Sequence, residues 1–215
     1  MKKPRVLMAD DHSLILAGLR KLVEEECDVV GTIEDGRALV EAAQKLRPDL
    51  ILLDISMPLL NGLEAARQLR ILAPEIKLIF LTMHASPTYA TEAFQAGASG
   101  YLLKRSAASE LSLAIRSVLQ GQHYLTPSLT KDVLDSVFQP STRERGKPAS
   151  IALTARQREV LQLVAEGRGT KTIATILNVS VKTVEFHKSR IMQQLDLHTT
   201  ADLTKYAITH GITGL

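Results

Sequence analysis

Residues 50–58 read Leu-Ile-Leu-Leu-Asp-Ile-Ser-Met-Pro: an apolar run that stops at the carboxylate of Asp54, with turn residues Met57-Pro58 and Asn61-Gly62 just beyond. A buried strand carries a charge at its tip only where the charge is paired or used. Three other short apolar runs end in the same manner. Asp10 and Asp11 follow Val6–Ala9, Thr82 follows Leu78–Leu81, and Lys104 follows Tyr101–Leu103. Three carboxylates brought to one place repel unless a cation sits among them. Oxygen-only ligands that leave room for water suit Mg²⁺. A carboxylate beside that ion is a nucleophile toward a phosphoryl group, giving an aspartyl phosphate. Lys104 and the Thr82 hydroxyl suit the phosphoryl oxygens as charge and hydrogen-bond donor. Taken singly, each residue has a plainer reading. Asp10 or Asp11 would cap the following helix, Lys104 would be solvated, and Thr82 would be a β-former. The joint pattern at four strand ends is what points to chemistry.

These residues need a frame that gathers strand ends. Val6–Ala9, Val29–Ile33, Leu50–Leu53, Leu78–Leu81 and Tyr101–Leu103 read as five strands. Helical patterns at Leu14–Glu25, Ala38–Leu46, Leu63–Leu72, Tyr89–Ala96 and Ala108–Leu119 alternate with them. Uninterrupted apolar strands alternating with helices predict a doubly wound parallel sheet covered on both faces. Ligands of such sheets collect beyond the carboxyl ends of the strands. After Gly121 the pattern loosens to a short helical patch, Leu129–Phe138, and a polar linker at 139–150 with two prolines and a glycine.

Four helical segments follow, at about 155–166, 171–177, 181–195 and 200–209. Thr154 and Gln157 form a capping box for the first, and Gly167 and Gly169 stop it. The break at Leu177-Asn178-Val179-Ser180, with Ser180 as N-cap, fits a helix-turn-helix. On a helical wheel Val181, Val184, Ile191, Met192 and Leu195 share one side; Lys182, Phe186, Ser189, Arg190 and Gln193 share the other. A phenylalanine opposite the apolar stripe either meets a thymine methyl in a major groove or packs on a neighbour. Lys188 falls on the apolar side, where its stem lies along the fold.

Composition sets the outer bounds. With 45% hydrophobic and 23% charged residues, the 215-residue chain suits one large or two small globular domains. No stretch approaches the length of a membrane span, no signal peptide is visible behind Met1-Lys2-Lys3-Pro4, and Cys27 is the sole cysteine. A reducing cytoplasm is the expected setting. Residues 1–140 hold 15 Lys+Arg against 17 Asp+Glu, a net of −2, whereas 141–215 hold 11 against 6, a net of +5. That asymmetry directs the rear half toward nucleic acid, unless it is ordinary surface variation.

Through Asp10-Asp11, Asp54…Met57-Pro58…Gly62, Leu81-Thr82 and Tyr101-Leu-Leu-Lys104, residues 5–120 resemble the receiver domain of two-component response regulators. Residues 153–209 resemble the LuxR-type four-helix DNA-binding domain, through Leu153-Thr154…Arg156…Glu159-Val160-Leu161, Lys171…Ile173-Ala174 and Val181-Lys-Thr-Val-Glu-Phe-His187. In this order they resemble a NarL/FixJ-type response regulator. The resemblance implies a five-stranded flavodoxin-like receiver over 1–121, a linker with a short helix over 122–150, and an all-α helix-turn-helix domain over 151–215. It implies that Asp54 accepts a phosphoryl group from a sensor histidine kinase. Asp10, Asp11 and the Ser56 backbone carbonyl would hold Mg²⁺, with Asp11 preferred as direct ligand. Thr82 and Tyr101 would reorient after phosphorylation, Tyr101 following Thr82 inward. Glu185, Phe186 and Ser189 would face bases; Lys182, Thr183 and Arg190, with Lys171, would face phosphates. His187 would be structural. A homodimer on DNA and RNA polymerase complete the implied partners, and no enzyme activity or membrane is implied.

Three positions depart from the family pattern. Met83 stands where a small residue is common, implying a narrower entrance and slower phosphorylation and dephosphorylation. Gln157 replaces an acid but keeps the capping box, and Thr172 replaces a glutamate and removes an ion-pair partner. A haloacid-dehalogenase-type phosphotransferase, the rival enzyme reading, needs a second acid where Ser56 stands. A receiver-like module that never takes phosphate is opposed by the complete Asp10, Asp11, Asp54, Thr82 and Lys104 set.

Overall fold

The computed structural model describes residues 3–138 and 153–213; the 139–150 linker expected from sequence lies outside the described residues. Strands β1 (Arg5–Ala9), β2 (Asp28–Ile33), β3 (Leu50–Leu53), β4 (Lys77–Thr82), β5 (Gly100–Leu103) and β6 (Tyr124–Leu125) form one parallel sheet in the order β2-β1-β3-β4-β5-β6. Helices α1 (Ser13–Glu24), α2 (Gly36–Leu46), α3 (Gly62–Leu72), α4 (Pro87–Ala96) and α5 (Ala107–Leu119) cross between them.

Side chains alternate across the pleat. Leu7, Ile51, Leu53, Phe80 and Tyr101 join the core beneath α2, α3 and α4, while Val6, Met8, Leu52, Ile79 and Leu102 join the core beneath α1 and α5. The central strands are buried on both faces, which is why they read as unbroken apolar runs rather than as alternation.

The sheet has six strands where the apolar runs predict five. β6 is two residues long and has no run of its own; pairing creates it. The Tyr124 N–H donates to the Ser99 carbonyl and the Thr126 N–H to the Tyr101 carbonyl, each at 3.0 Å. The buried Thr126 hydroxyl accepts from the Leu103 N–H at 3.1 Å. Helix α6 (Pro127–Phe138) then docks on the front core through the buried Leu129, so part of the expected linker belongs to the front unit.

The rear unit holds α7 (Ala155–Ala165), α8 (Thr170–Ile176), α9 (Val181–Leu195) and α10 (Thr200–Thr209) around Val160, Leu161, Ile173, Val184, Ile191, Leu203 and Ala207. The Thr154–Gln157 capping box forms as expected, with both reciprocal bonds present. Gly167 sits at φ +75 just past α7, but Gly169 has an ordinary φ and is the N-cap of α8, so it starts a helix rather than stopping one. The two units touch along a polar seam. Arg37 pairs with Glu159 at 2.8 Å, Gln68 bonds Glu159 at 3.2 Å, and Arg158 pairs with Glu64.

Candidate phosphoryl-acceptor site and nucleic-acid interface

β1, β3 and β5 end together, and their next residues form one ionic cluster. Lys104 Nζ lies 2.6 Å from Asp10 Oδ2 and 2.7 Å from Asp54 Oδ2. Burial works against the ammonium, but the Asp54 and Asp10 carboxylates outweigh it and hold the Lys104 pKa above its ordinary value. Lys104 is therefore a fixed positive charge between two acids at neutral pH. Asp54 Oδ1 accepts from the Ile55 N–H at 2.7 Å, so both of its oxygens are oriented. Single ligand atoms of Asp10, Asp11, His12 and Asp54 all lie within 4.8 Å of one another.

Asp10 and Asp54 are buried, while Asp11 faces outward at the rim. Neither Asp10 nor Asp11 is the N-cap of α1; that position belongs to His12, whose backbone N–H donates to Asp10 Oδ1 at 3.0 Å. The His12 Nδ1 sits 2.8 Å from Asp11 and 3.1 Å from Asp10.

Thr82 is fully buried at the end of β4, and its hydroxyl accepts from the His84 N–H at 3.3 Å. Met83 is 69% exposed. The Tyr101 ring is fully buried, and its hydroxyl donates to the His84 carbonyl at 2.8 Å. Burial, then the neighbouring Tyr89 and Asp54, push its pKa well above the ordinary phenol value, so it remains a donor. Tyr101 occupies an inward position, held by this hydrogen bond to the β4–α4 loop. Ser56 makes a side-chain contact, its Oγ 3.0 Å from His84 Nε2, and His84 stacks on Tyr89 with ring centroids 4.3 Å apart.

The loop after Asp54 is tightly seated. A Cβ at Gly62 would overlap the Asp54 carbonyl oxygen, and one at Gly36 would overlap the Leu60 carbonyl oxygen. Asn61 caps α3 by accepting from the Glu64 N–H at 2.9 Å. Between them Leu59 stands at φ +64, a backbone conformation that a Cβ disfavours.

On α9 the division expected from the wheel holds. Val184 and Ile191 are buried and Met192 and Leu195 partly so, whereas Lys182, Glu185, Ser189 and Arg190 are exposed and Phe186 is 59% exposed. Val181, placed on the apolar side, is 37% exposed at the helix's first turn. Ser180 caps the helix by accepting from the Thr183 N–H at 3.1 Å. The Arg190 guanidinium lies 5.8 Å from the centre of the Phe186 ring, a cation–π distance. Lys171 is exposed on α8, and Thr183 is half-buried. Lys188 turns back along the fold, its Nζ donating to the Thr200 hydroxyl at 2.9 Å.

Comparison with known proteins matches the same two units. Residues 6–116 match the response regulator receiver domain, and residues 151–207 match the bacterial regulatory proteins of the luxR family. The oxygen regulatory protein NreC of Staphylococcus epidermidis is 38% identical over 213 residues, covering 95% of this chain and 96% of that one. The response regulator UvrY of Escherichia coli is 34% identical over 209 residues, covering 96% and 94%. The chain belongs to the NarL/FixJ-type response regulators. A structure of the Salmonella typhimurium response regulator RcsB superposes over the full length of both chains with a TM-score of 0.65 at 29% identity. An RcsB–DNA complex superposes with a TM-score of 0.59 at 28% identity over 95% of this chain and 98% of that one.

In this response regulator the structure gathers Asp10, Asp11, Asp54 and Lys104 as the sequence predicts, and places Thr82 and Tyr101 at the ends of the adjoining strands. It also adds residues that sequence reasoning passed over. His12 is legible in hindsight as a polar residue next to the acid pair. His84, two residues after Thr82, had no signal, because its partners Ser56, Tyr89 and Tyr101 come from three other elements.

Proposed function

We propose that Asp54 accepts a phosphoryl group in a Mg²⁺-dependent transfer from a sensor histidine kinase, and that this controls pairing of the protein on DNA. The observation that carries the reading is Lys104 Nζ lodged between Asp10 and Asp54 at 2.6 and 2.7 Å, with Asp11 at the rim. Three carboxylates against one ammonium leave net negative charge for a divalent cation, and their hard oxygens fit Mg²⁺. Asp10, Asp11, Asp54 and the Ser56 carbonyl would hold the ion, which would neutralise charge on the transferred group. One Asp54 oxygen forms the new P–O bond as the P–N bond to the donor imidazole breaks, and the electron pair leaves with the imidazole nitrogen. Lys104 and the Thr82 hydroxyl bind phosphoryl oxygens. Tyr101 fixes the His84 carbonyl and so the shape of the β4–α4 loop.

At the other end, Lys171, Lys182, Thr183 and Arg190 meet phosphates, while Glu185, Phe186 and Ser189 meet base edges. Two protomers would read half-sites about one helical turn apart or a multiple of it. The reading takes 1–121 as receiver, extended by α6, 122–150 as the connecting stretch, and 151–215 as the DNA-binding domain. It includes a cytoplasmic setting, RNA polymerase as a further partner, and regulation of transcription rather than an enzymatic output. The test is incubation with a radiolabelled small phosphodonor and Mg²⁺. Acid-stable, base-labile label that disappears in Asp54→Asn and on chelation supports the reading; label that survives Asp54→Asn refutes it.

A further inference from the structure

Lys104 enters the acidic pocket from the end of β5, so the end of β5 decides where its charge stands. Tyr101 turns its backbone toward β6, and its carbonyl accepts from the Thr126 N–H at 3.0 Å. Leu103, two residues on, turns the same way. β6 stops at Leu125, however, and has no ladder carbonyl left for it. The Thr126 hydroxyl takes that place, accepting from the Leu103 N–H at 3.1 Å. Thr126 therefore fastens β5 at two points from one position, and the second point is the immediate neighbour of Lys104.

Thr126 is itself held. It is fully buried, and its carbonyl accepts from the Leu129 N–H at 2.9 Å at the start of α6. Leu129 is anchored in the core beneath α2, α3 and α4, and Val133, one turn further, packs against the same core. A line of fixed groups thus runs from α6 through Thr126 and Leu103 to Lys104. Beyond Leu103 the chain leaves the sheet for a single 3₁₀ turn, Lys104–Ser106. The bond to Thr126 is the last support on the β6 side before the lysine.

We propose that Thr126 is a positioning residue for phosphoryl transfer: its hydroxyl fixes the end of β5 so that Lys104 stands where the phosphoryl oxygens arrive. A lysine stem is flexible in water and could absorb a shift of its backbone. This one is 6% exposed, with its ammonium 2.6 and 2.7 Å from two buried carboxylates, so a displaced backbone carries the charge with it. Charge stabilisation in a site poor in water falls steeply when the charge is misplaced. Thr126 lies beyond α5, in the stretch that the sequence assigns to the connection, so the phosphoryl site is completed by chain that follows the last receiver helix. The proposal rests on Asp54 being the acceptor.

The experiment follows labelling of the full chain by radiolabelled acetyl phosphate with Mg²⁺. Thr126→Val keeps the branched shape and removes the acceptor, leaving the Leu103 N–H unpaired. It should slow labelling about tenfold, the scale of one buried group left unpaired. Thr126→Ser keeps the hydroxyl and should label at close to the wild-type rate. Beryllofluoride, a phosphoryl mimic within reach of Lys104, should bind Thr126→Val about tenfold more weakly. Binding of Mg²⁺ alone should not weaken, because Asp10, Asp11, Asp54 and the Ser56 carbonyl lie off β5. In a Lys104→Ala background, Thr126→Val should slow labelling no further, since its effect passes through the lysine. A role in stability alone would weaken Mg²⁺ and beryllofluoride together and would persist without Lys104; either result overturns the proposal. So does wild-type labelling by Thr126→Val, or labelling by Thr126→Ser as slow as by the valine variant. Should Thr126→Val not fold, serine and cysteine make the comparison at nearly equal size. Sulfur is a weak acceptor, so Thr126→Cys should label more slowly than Thr126→Ser, and equal rates overturn the assignment. Wild-type protein that takes no label, or label that persists in Asp54→Asn, brings down the acceptor reading and this proposal with it. Wild type labelled at Asp54 with Thr126→Val unaltered removes the role of Thr126 only.

Discussion

At the carboxyl edge of the sheet the polar side chains are held by fixed partners: Asp54 by Lys104 and the Ile55 N–H, Asp10 by Lys104 and the His12 N–H, Tyr101 by the His84 carbonyl. On α9 the side chains assigned to DNA mostly point into solvent, and among them Phe186 and Arg190 lean on each other. The pocket is built from buried, mutually satisfied groups, which hold charge in one geometry. The helix meets a partner that supplies the missing contacts, so the fold needs to fix only its backbone, through the Ser180 cap and the Val184 and Ile191 anchors. Preorganisation is concentrated at the acidic pocket and withheld on the exposed face of α9.

Four measurements can break that contrast, beginning with the largest effect. Asp54→Asn keeps the shape of the side chain and removes the nucleophile, so phosphoryl labelling should vanish while circular dichroism and melting show a folded chain. Asp11→Ala should weaken Mg²⁺ dependence on the order of tenfold or more, the scale seen when support for a bound metal is removed. Titrating Mg²⁺ against beryllofluoride binding reads this directly, and an unchanged midpoint would take Asp11 out of the site. Phe186→Ala should cost about 1–3 kcal/mol at one base position per half-site. Thermal stability should move by no more than about 0.5 kcal/mol, as for a surface change. A loss of stability without altered base preference would make Phe186 a packing residue. Smallest is Lys182→Gln, which should lower the salt slope of DNA binding by about 0.9 per domain, equally for all sequences. A change confined to one DNA sequence would move Lys182 from phosphates to bases.

What the sequence made legible divides along the same line. Strands β1, β3, β4 and β5 announce themselves because burial on both faces writes an apolar run, and the residues just past three of them, Asp10, Asp54 and Lys104, are the ones that meet in the ionic cluster. Thr154 and Gln157 were legible because a capping box is a contact between neighbours in sequence. β6 was not, since two residues carry no period and the strand exists only through its bonds to Ser99 and Tyr101. The hydrogen bond from Tyr101 was not legible, because its partner, the backbone carbonyl of His84, leaves no mark in residue types. Gln162 on α7 bonds the Met57 carbonyl and the Asn61 N–H across about a hundred residues, and the only local sign of it is a leucine at position 59, where the turn asks for positive φ.

Gly36 and Gly62 press directly on carbonyl oxygens of the acceptor segment. In genetic terms they are silent partners of the aspartates. Neither offers a group that could bind a metal or a phosphate, yet a single methyl at either position would displace the peptide that carries Asp54 or Leu60. A mutant hunt for lost signalling would recover changes at 36 and 62 alongside changes at 10, 11 and 54. The first two would be alleles of space, and the last three alleles of charge.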